Sequence, residues 1–377
     1  MGVRLGFVST YPPTQCGIAT FSEALVTHLR RAGSQVSVVQ IVDEPSTLPE
    51  PVVHQWVRDI PTAIAGAAAA LDDCDVVVVQ HEYGIFGGAD GEDVLELLEH
   101  VRAPVVTVLH TVLTHPTPNQ HRIVASLART STALVTMTET GRDRLIAHWG
   151  VDPTTVTVIP HGAEDNRSEH VPFRTALPGR PTILTWGLLS EGKGIEWALL
   201  ALAELQDRIE LPTYRVVGRT HPRVLERDGE AYRDRLVSMA RDLGLAHHVV
   251  FDDRYLSSPD LRRVVRRADL VLLPYDSLEQ VTSGVLTEAV AAGKPVISTS
   301  FPHAVELLSG GAGLLVPQSD PVAMAEALYD VLTDKGLVAR MTHQSRTIAT
   351  SLLWPSVAAR YVALSRRVLG AELRSAV

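Results

Sequence analysis

Short apolar runs, rich in valine, leucine and isoleucine, alternate with amphipathic stretches of helix length along the whole chain. In the first half these runs lie at 3–8, 36–42, 52–57, 76–79, 105–109, 134–137 and 156–159. Several are apolar throughout, as expected of strands buried on both faces of a parallel sheet, and lack the alternation of strands that turn one face to water. A stretch of mixed polarity at 164–181, with Pro172, Pro178, Gly179 and Pro181, reads as an interdomain linker. The pattern then restarts at 183–186, 214–217, 249–251, 270–273, 296–298 and 314–316. Two successive series of strand and helix, each long enough for a complete sheet, predict an α/β fold of two Rossmann-like, doubly wound domains. Their expected bounds are 1–165 and 180–350, and the chain then ends in helices, one starting near Trp354-Pro355-Ser356.

Composition agrees with that plan and removes some functions. The 377 residues suit two domains of average size, and 45% apolar residues supply two cores. A net charge of −9 argues against nucleic-acid binding through a basic field over the whole molecule. Membrane contact through a local patch stays open but is not indicated. The chain has two cysteines, Cys16 and Cys74, and no C-x-x-C pair. Neither a disulfide framework nor a cysteine-based zinc site is expected, and a reducing compartment fits. The first residues enter a strand without a signal-peptide core, and no run nears the ~18 apolar residues of a membrane span. The expected address is the cytoplasm.

In open parallel sheets ligands sit beyond the carboxyl ends of the strands, so two such domains are expected to face each other across a ligand cleft. The first strand leads into a long loop that closes at Cys16-Gly17 and opens onto a helix. Gly17 permits close backbone approach, and the helix start offers unpaired N–H groups to an anion; a plain turn is the bland alternative. Later strand ends in this half carry His81-Glu82, His110-Thr111 and His161-Gly162. Any one of these is more often a structural histidine, but three on one side of one sheet point to function. They lack close ligand spacing and a carboxylate partner, so no metal is expected. Asp73-Cys74-Asp75 imitates a metal-binding D-x-D but leads into a strand, and reads as structural. No G-x-G-x-x-G follows any strand, which weighs against a dehydrogenase. Gly310-Gly311-Ala312-Gly313 precedes a strand and reads as a turn.

The second half opens with a strand followed by Gly187-Leu188-Leu189-Ser190-Glu191-Gly192-Lys193-Gly194 and a helix. A lysine flanked by glycines before a helix start suits a diphosphate, although the spacing is not that of a P-loop. The next strand runs into Val217-Gly218-Arg219-Thr220-His221, on the same rim, where Arg219 or His221 can add a contact. Leu256, after the strand at 249–251, is a further substrate-binding candidate. The most informative segment runs from Gln280 to Ala289. Ser283 is a plausible N-cap, and the amides of Ser283, Gly284 and Val285 are expected to face phosphate or sugar oxygens. Glu288, on the same helix, can accept two hydrogen bonds from a ribose diol. Arg262, Arg263, Arg266 and Arg267 read as the solvated face of a helix.

Together these segments resemble the family-4 retaining glycosyltransferases, which have the two-domain GT-B fold. The resemblance spans the chain through P-P-x-x-x-G-I-A-T-F at 12–21, I-P-H-G at 159–162, G-x-L-x-x-x-K-G at 187–194 and S-G-x-L-x-E-A at 283–289. It implies that Gly17 lies against the donor phosphates, Lys193 binds the diphosphate, Glu288 holds the ribose and His110 faces the transferred sugar. It also implies that the helix from about 355 to 377 packs back on the first domain. Two positions depart from the family pattern: Leu188 stands where an arginine is usual, and Gln280 replaces the first glutamate of the pair, with Glu279 one position out of register. A subgroup with C-G-I-A-T-F, H-E-[FY]-G-I-F-G-G and G-L-L-S-x-G-K-G-I-E is similar at these same points.

The expected activity is metal-independent transfer, with retention, of a hexose from a GDP-, UDP- or ADP-linked sugar to an unidentified acceptor hydroxyl. Lys193, Gln280, Glu288 and His110 form the catalytic set. Gly17, His81, Gly162, Arg219, His221, Leu256, Ser283, Gly284 and Val285 bind substrate, and no cofactor is required. Two rivals remain: a nucleotide-sugar epimerase of the same architecture, and a catalytically weak protein that binds nucleotide sugars.

Overall fold

In the computed structural model of the chain, which describes residues 2–60, 62–167 and 180–375, the apolar runs form two parallel sheets. Of the expected linker, residues 168–179, with Pro172, Pro178 and Gly179, lie outside the described residues. The chain divides into two compact units, Met1–Gly162 with Trp354–Val377, and Ala163–Leu353.

The first unit holds seven strands: β1 (Arg4–Ser9), β2 (Gln35–Val42), β3 (Val52–Val57), β4 (Val76–His81), β5 (Val105–Leu109), β6 (Ala133–Thr136) and β7 (Val156–Val158). Their order is β3-β2-β1-β4-β5-β6-β7, so the winding direction reverses between β1 and β4. Every residue of β4, β5 and β6 is buried, as the uninterrupted apolar runs require. Helix Gly17–Arg31 leaves β1 and covers one face of the sheet. Beside it lies the last helix, Trp354–Ser375, whose buried Trp354, Val357, Ala358, Tyr361, Leu364 and Val368 share a core with Phe21, Leu25 and Leu29. These spacings of three and four residues draw one apolar stripe along the helix. Gly162 makes room for the stripe's first member, because a side chain there would strike the Trp354 ring.

The second unit holds β8 (Thr182–Trp186), β9 (Thr213–Val217), β10 (Val249–Asp252), β11 (Leu270–Leu273), β12 (Val296–Thr299) and β13 (Gly313–Val316) in the order β10-β9-β8-β11-β12-β13. Here the reversal falls between β8 and β11. Alternate residues feed two cores: Ile183, Leu270 and Leu272 pack on one face, and Leu184, Val271 and Leu273 on the other. Each fully buried aliphatic side chain contributes about 1.5–3 kcal/mol, which makes both faces of the sheet rigid supports for the loops at its rim. Among the described residues no helix is long and apolar enough to cross a membrane.

Candidate functional site

In the second unit the loops after β9, β8, β11 and β12, four neighbouring strands, meet at the carboxyl rim around the reversal point. Backbone hydrogen bonds knit the first two together: Gly187 N–H to Val217 O (3.0 Å), Leu189 N–H to Arg219 O (2.9 Å) and His221 N–H to Leu189 O (2.8 Å). Gly218 allows this approach, since its φ is +142° and a side chain there would strike Gly187 O. The β8 loop also joins the β11 loop, where Asp276 N–H donates to Gly192 O at 3.0 Å. Gly194, at φ +63°, turns the chain into helix Ile195–Ala203 directly against Pro274 O, where no side chain fits.

Lys193 sits within this frame. Its Nζ lies 4.3 Å from the centre of the Tyr275 ring, and Tyr275 in turn stacks on Phe301 at 5.4 Å. Among the described residues no carboxylate pairs with it, and burial pulls the ammonium down to about 8. A desolvated cation whose one close partner is an aromatic face is costly to keep without an anion.

Helix Gly284–Ala291 starts beside the lysine loop, with Val285 Cγ2 3.8 Å from where a side chain on Gly187 would begin. Ser283 is its N-cap, the hydroxyl accepting from Leu286 N–H at 3.2 Å. One expectation needs correcting. The Ser283 N–H is not turned to a ligand, because it donates to His303 Nδ1 at 2.8 Å. At this helix start the Gly284 and Val285 amides keep the orientation that suits an anion. Glu288 lies one turn further in, where burial lifts its carboxyl to about 7 against the opposing pull of a Trp186 hydrogen bond and the Arg262 charge. Arg262 therefore belongs to the surroundings of the site and is no mere solvated residue. Of its neighbours, Arg266 bonds Asn166 Oδ1 at 2.9 Å and Arg263 pairs with Asp260. Gln280 Nε2 donates to Thr282 O at 3.2 Å, within its own loop.

The remaining candidates of this unit divide. His221 caps helix Pro222–Asp228, its Nδ1 accepting from Arg223 N–H at 3.2 Å, so Nε2 carries the ring proton. Burial, then the charges of Arg223 and Lys193, hold its pKa below the usual histidine value. Arg219 instead bears on Glu230, which also accepts from Thr220 and Arg233. The Leu256 side chain packs on the core beneath.

In the first unit two of the three strand-end histidines share one partner. Phe21, from the helix that begins at Gly17, packs edge-on against His110 (5.0 Å), His161 (4.9 Å) and Trp354 (5.2 Å). His81 is buried against Tyr83 and Phe86 instead. Desolvation leaves all three neutral, His110 at about 3 and His81 and His161 at about 4. His110 Nε2 lies 2.8 Å from Gln80 Oε1, and donating there leaves Nδ1 as an acceptor. Gly17 is exposed at N1 of its helix, with open space where a side chain would be. Gly162 serves Trp354, a packing reason that competes with its expected contact to substrate. Asp75 takes its amide and side-chain bonds from Arg4, which leaves the D-x-D imitation structural. Among the described residues no group of three or more His, Cys, Asp or Glu is placed to hold a metal.

Neither Tyr275 nor His303 stood out in the sequence, and Arg262 was expected only on a solvated helix face. Tyr275 lies two residues past the end of β11 and obeys the same strand-end rule. His303, twenty residues from the amide it holds, gave no local signal.

Residues 16–167 match the model for Glycosyltransferase Family 4, and residues 180–334 match that for Glycosyl transferases group 1. The D-inositol 3-phosphate glycosyltransferase of Corynebacterium kroppenstedtii is 27% identical over 283 residues, covering 68% of this chain and 60% of the relative. That of Rhodococcus jostii is 31% identical over 236 residues, covering 60% of this chain and 51% of the relative. The chain thus spans about half to three fifths of these relatives' length. Among solved structures, Anabaena HepE in complex with UDP and glucose superposes with a TM-score of 0.74 at 17% identity, covering 100% of both chains. The fold is therefore that of the two-domain GT-B proteins.

Proposed function

From a chain whose two halves carry the domains of a GT4-type glycosyltransferase on the GT-B fold, we propose a retaining hexosyltransferase that uses a nucleotide diphosphate sugar and no metal. The observation that carries this reading is Lys193: a desolvated ammonium with no carboxylate partner among the described residues, in a loop that lies against the start of the helix carrying the Gly284 and Val285 amides. Together they make a fixed positive site for a diphosphate, with Glu288 placed on the same helix for the ribose diol.

The acceptor oxygen bonds to the sugar's anomeric carbon from the side on which the bond to the diphosphate breaks. The acceptor's proton passes to the departing phosphate oxygen, so configuration is retained and the diphosphate leaves with its charge on Lys193 and the helix-start amides. Donors preorganised where charge grows lower the barrier most. Gln280, in place of a glutamate, spares the site a negative charge beside the diphosphate. His221 adds a neutral N–H on the rim where Leu188 replaces an arginine.

The test is a calorimetric screen of UDP-, GDP- and ADP-linked hexoses, followed by product analysis with a panel of polyol and sugar acceptors in EDTA. One donor class is expected to bind and to yield a retained glycoside without added metal. Binding with no transfer over the panel favours a nucleotide-sugar sensor, and conversion of the donor alone favours an epimerase. Loss of transfer in EDTA, restored by a divalent ion, overturns the metal-free mechanism.

A further inference from the structure

The four residues from Gln280 to Ser283 join the position of the replaced glutamate to the start of the helix that carries Gly284, Val285 and Glu288. Both ends of this short turn are tied to one residue. His303, second in helix Pro302–Leu308, accepts the Ser283 N–H on its ring Nδ1 at 2.8 Å, and its own backbone N–H reaches Gln280 O at 3.5 Å. His303 and Ser283 are 4% and 3% exposed, so water does not compete for the ring contact. The segment leading to His303 supports the lysine as well. Thr299 Oγ1 donates to Tyr275 O at 2.6 Å, and Phe301 stacks on the Tyr275 ring against which Lys193 rests. The loop after β12 therefore braces the anion site from beneath without lying in it.

We propose that His303 is a positioning residue for the donor site: its Nδ1 lone pair, by holding the Ser283 N–H, fixes Gln280 and the two helix-start amides in their binding geometry. The physical reason lies in the N-cap. The Ser283 N–H precedes the helix and has no carbonyl within it to bond. Left unpaired in a buried place it would seek another acceptor, and the turn would shift with it. The contact also demands one form of the ring, neutral with its proton on Nε2, because an N–H at Nδ1 would face another N–H.

This inference rests on the donor site proposed above, and the experiment separates the two. In His303→Asn the side-chain oxygen falls where Nδ1 was; in His303→Gln it lies too far out, and His303→Leu has no acceptor. Nucleotide-sugar affinity and turnover are measured alongside melting temperature. His303→Leu is expected to weaken donor affinity by about tenfold or more, the scale of a buried donor left unpaired. His303→Asn should restore it to within about threefold, and His303→Gln should not. A purely structural role would lower the melting temperature and leave the affinity of the folded fraction intact. Nitrogen-15 NMR of the wild-type histidines adds a readout that needs no variant: the Nε2–H tautomer is expected for His303, and an Nδ1–H tautomer overturns the proposal. Folded His303→Leu that binds donor like wild type also overturns it, while the site reading stands. Wild-type protein that binds no nucleotide sugar removes both.

Discussion

Lys193 and Glu288 are both held against their charged forms, and each contributes to the free protein's response to pH. Glu288 is lifted from 4.5 to about 7, so across that interval its own contribution to stability falls as pH rises, against the opposite contributions of His81, His110 and His161, which burial holds neutral well below the ordinary histidine value. Lys193 is lowered from 10.5 to about 8; between those values the unfolded chain holds the extra proton, and stability rises with pH. Donor binding wants both groups charged. Affinity for a nucleotide diphosphate sugar, whose diphosphate does not titrate here, is expected to climb through about 7 and decline above about 8. Glu288→Gln should flatten the acid limb alone, and a level wild-type profile would remove both residues from the site. Lys193→Met should cut turnover by about 10²–10³-fold. It should also raise the melting temperature, by the equivalent of roughly 1–3 kcal/mol, because a desolvated charge disappears. A lower melting temperature would show that the lysine stabilises the fold.

At the scale of elements, the loops after β8 and β9 act as one body, since three backbone hydrogen bonds and the Gly187–Gly218 contact leave them little independent motion. That coupling makes a prediction about His221. In a double-mutant cycle read as donor affinity, Lys193→Ala with His221→Ala should couple by about 0.5 kcal/mol or more, whereas Lys193→Ala with Arg219→Ala should be additive. Additivity in both cycles would leave the Leu188 position uncompensated. Strands and caps were legible beforehand because their signals are local. Val76–Val79 is a run with no polar residue, and Ser283 precedes a helix as a cap should. The destination of the Ser283 N–H was not legible, because it depends on which loop the sheet order brings alongside.

The whole molecule shows the same division. The last helix follows the second unit in sequence yet completes the core of the first, with Trp354 against Phe21 and Gly162. Trp354→Ala should cost about 3–5 kcal/mol, read by calorimetry as a shift of the transition belonging to the first unit. Lys193, the Gly284 and Val285 amides and Glu288, proposed to hold the diphosphate and ribose, belong to the second unit, so affinity for the nucleoside diphosphate should stay within a factor of a few. A parallel loss of affinity would show that the first unit takes part in holding it.

The periodic apolar runs by themselves determined two parallel sheets, because a strand covered on both faces has no tolerance for polar residues. The residues at strand ends pointed to anion chemistry, because glycines, a lysine and a helix cap within a few positions leave a local trace. Tertiary structure alone decided which of those residues share a frame. It set Lys193 over Tyr275, turned the Ser283 amide to His303 and brought Arg262 to bear on Glu288, while assigning Gly162 to Trp354. Each depends on strand order and packing between segments distant in sequence, and only a closed core fixes those distances.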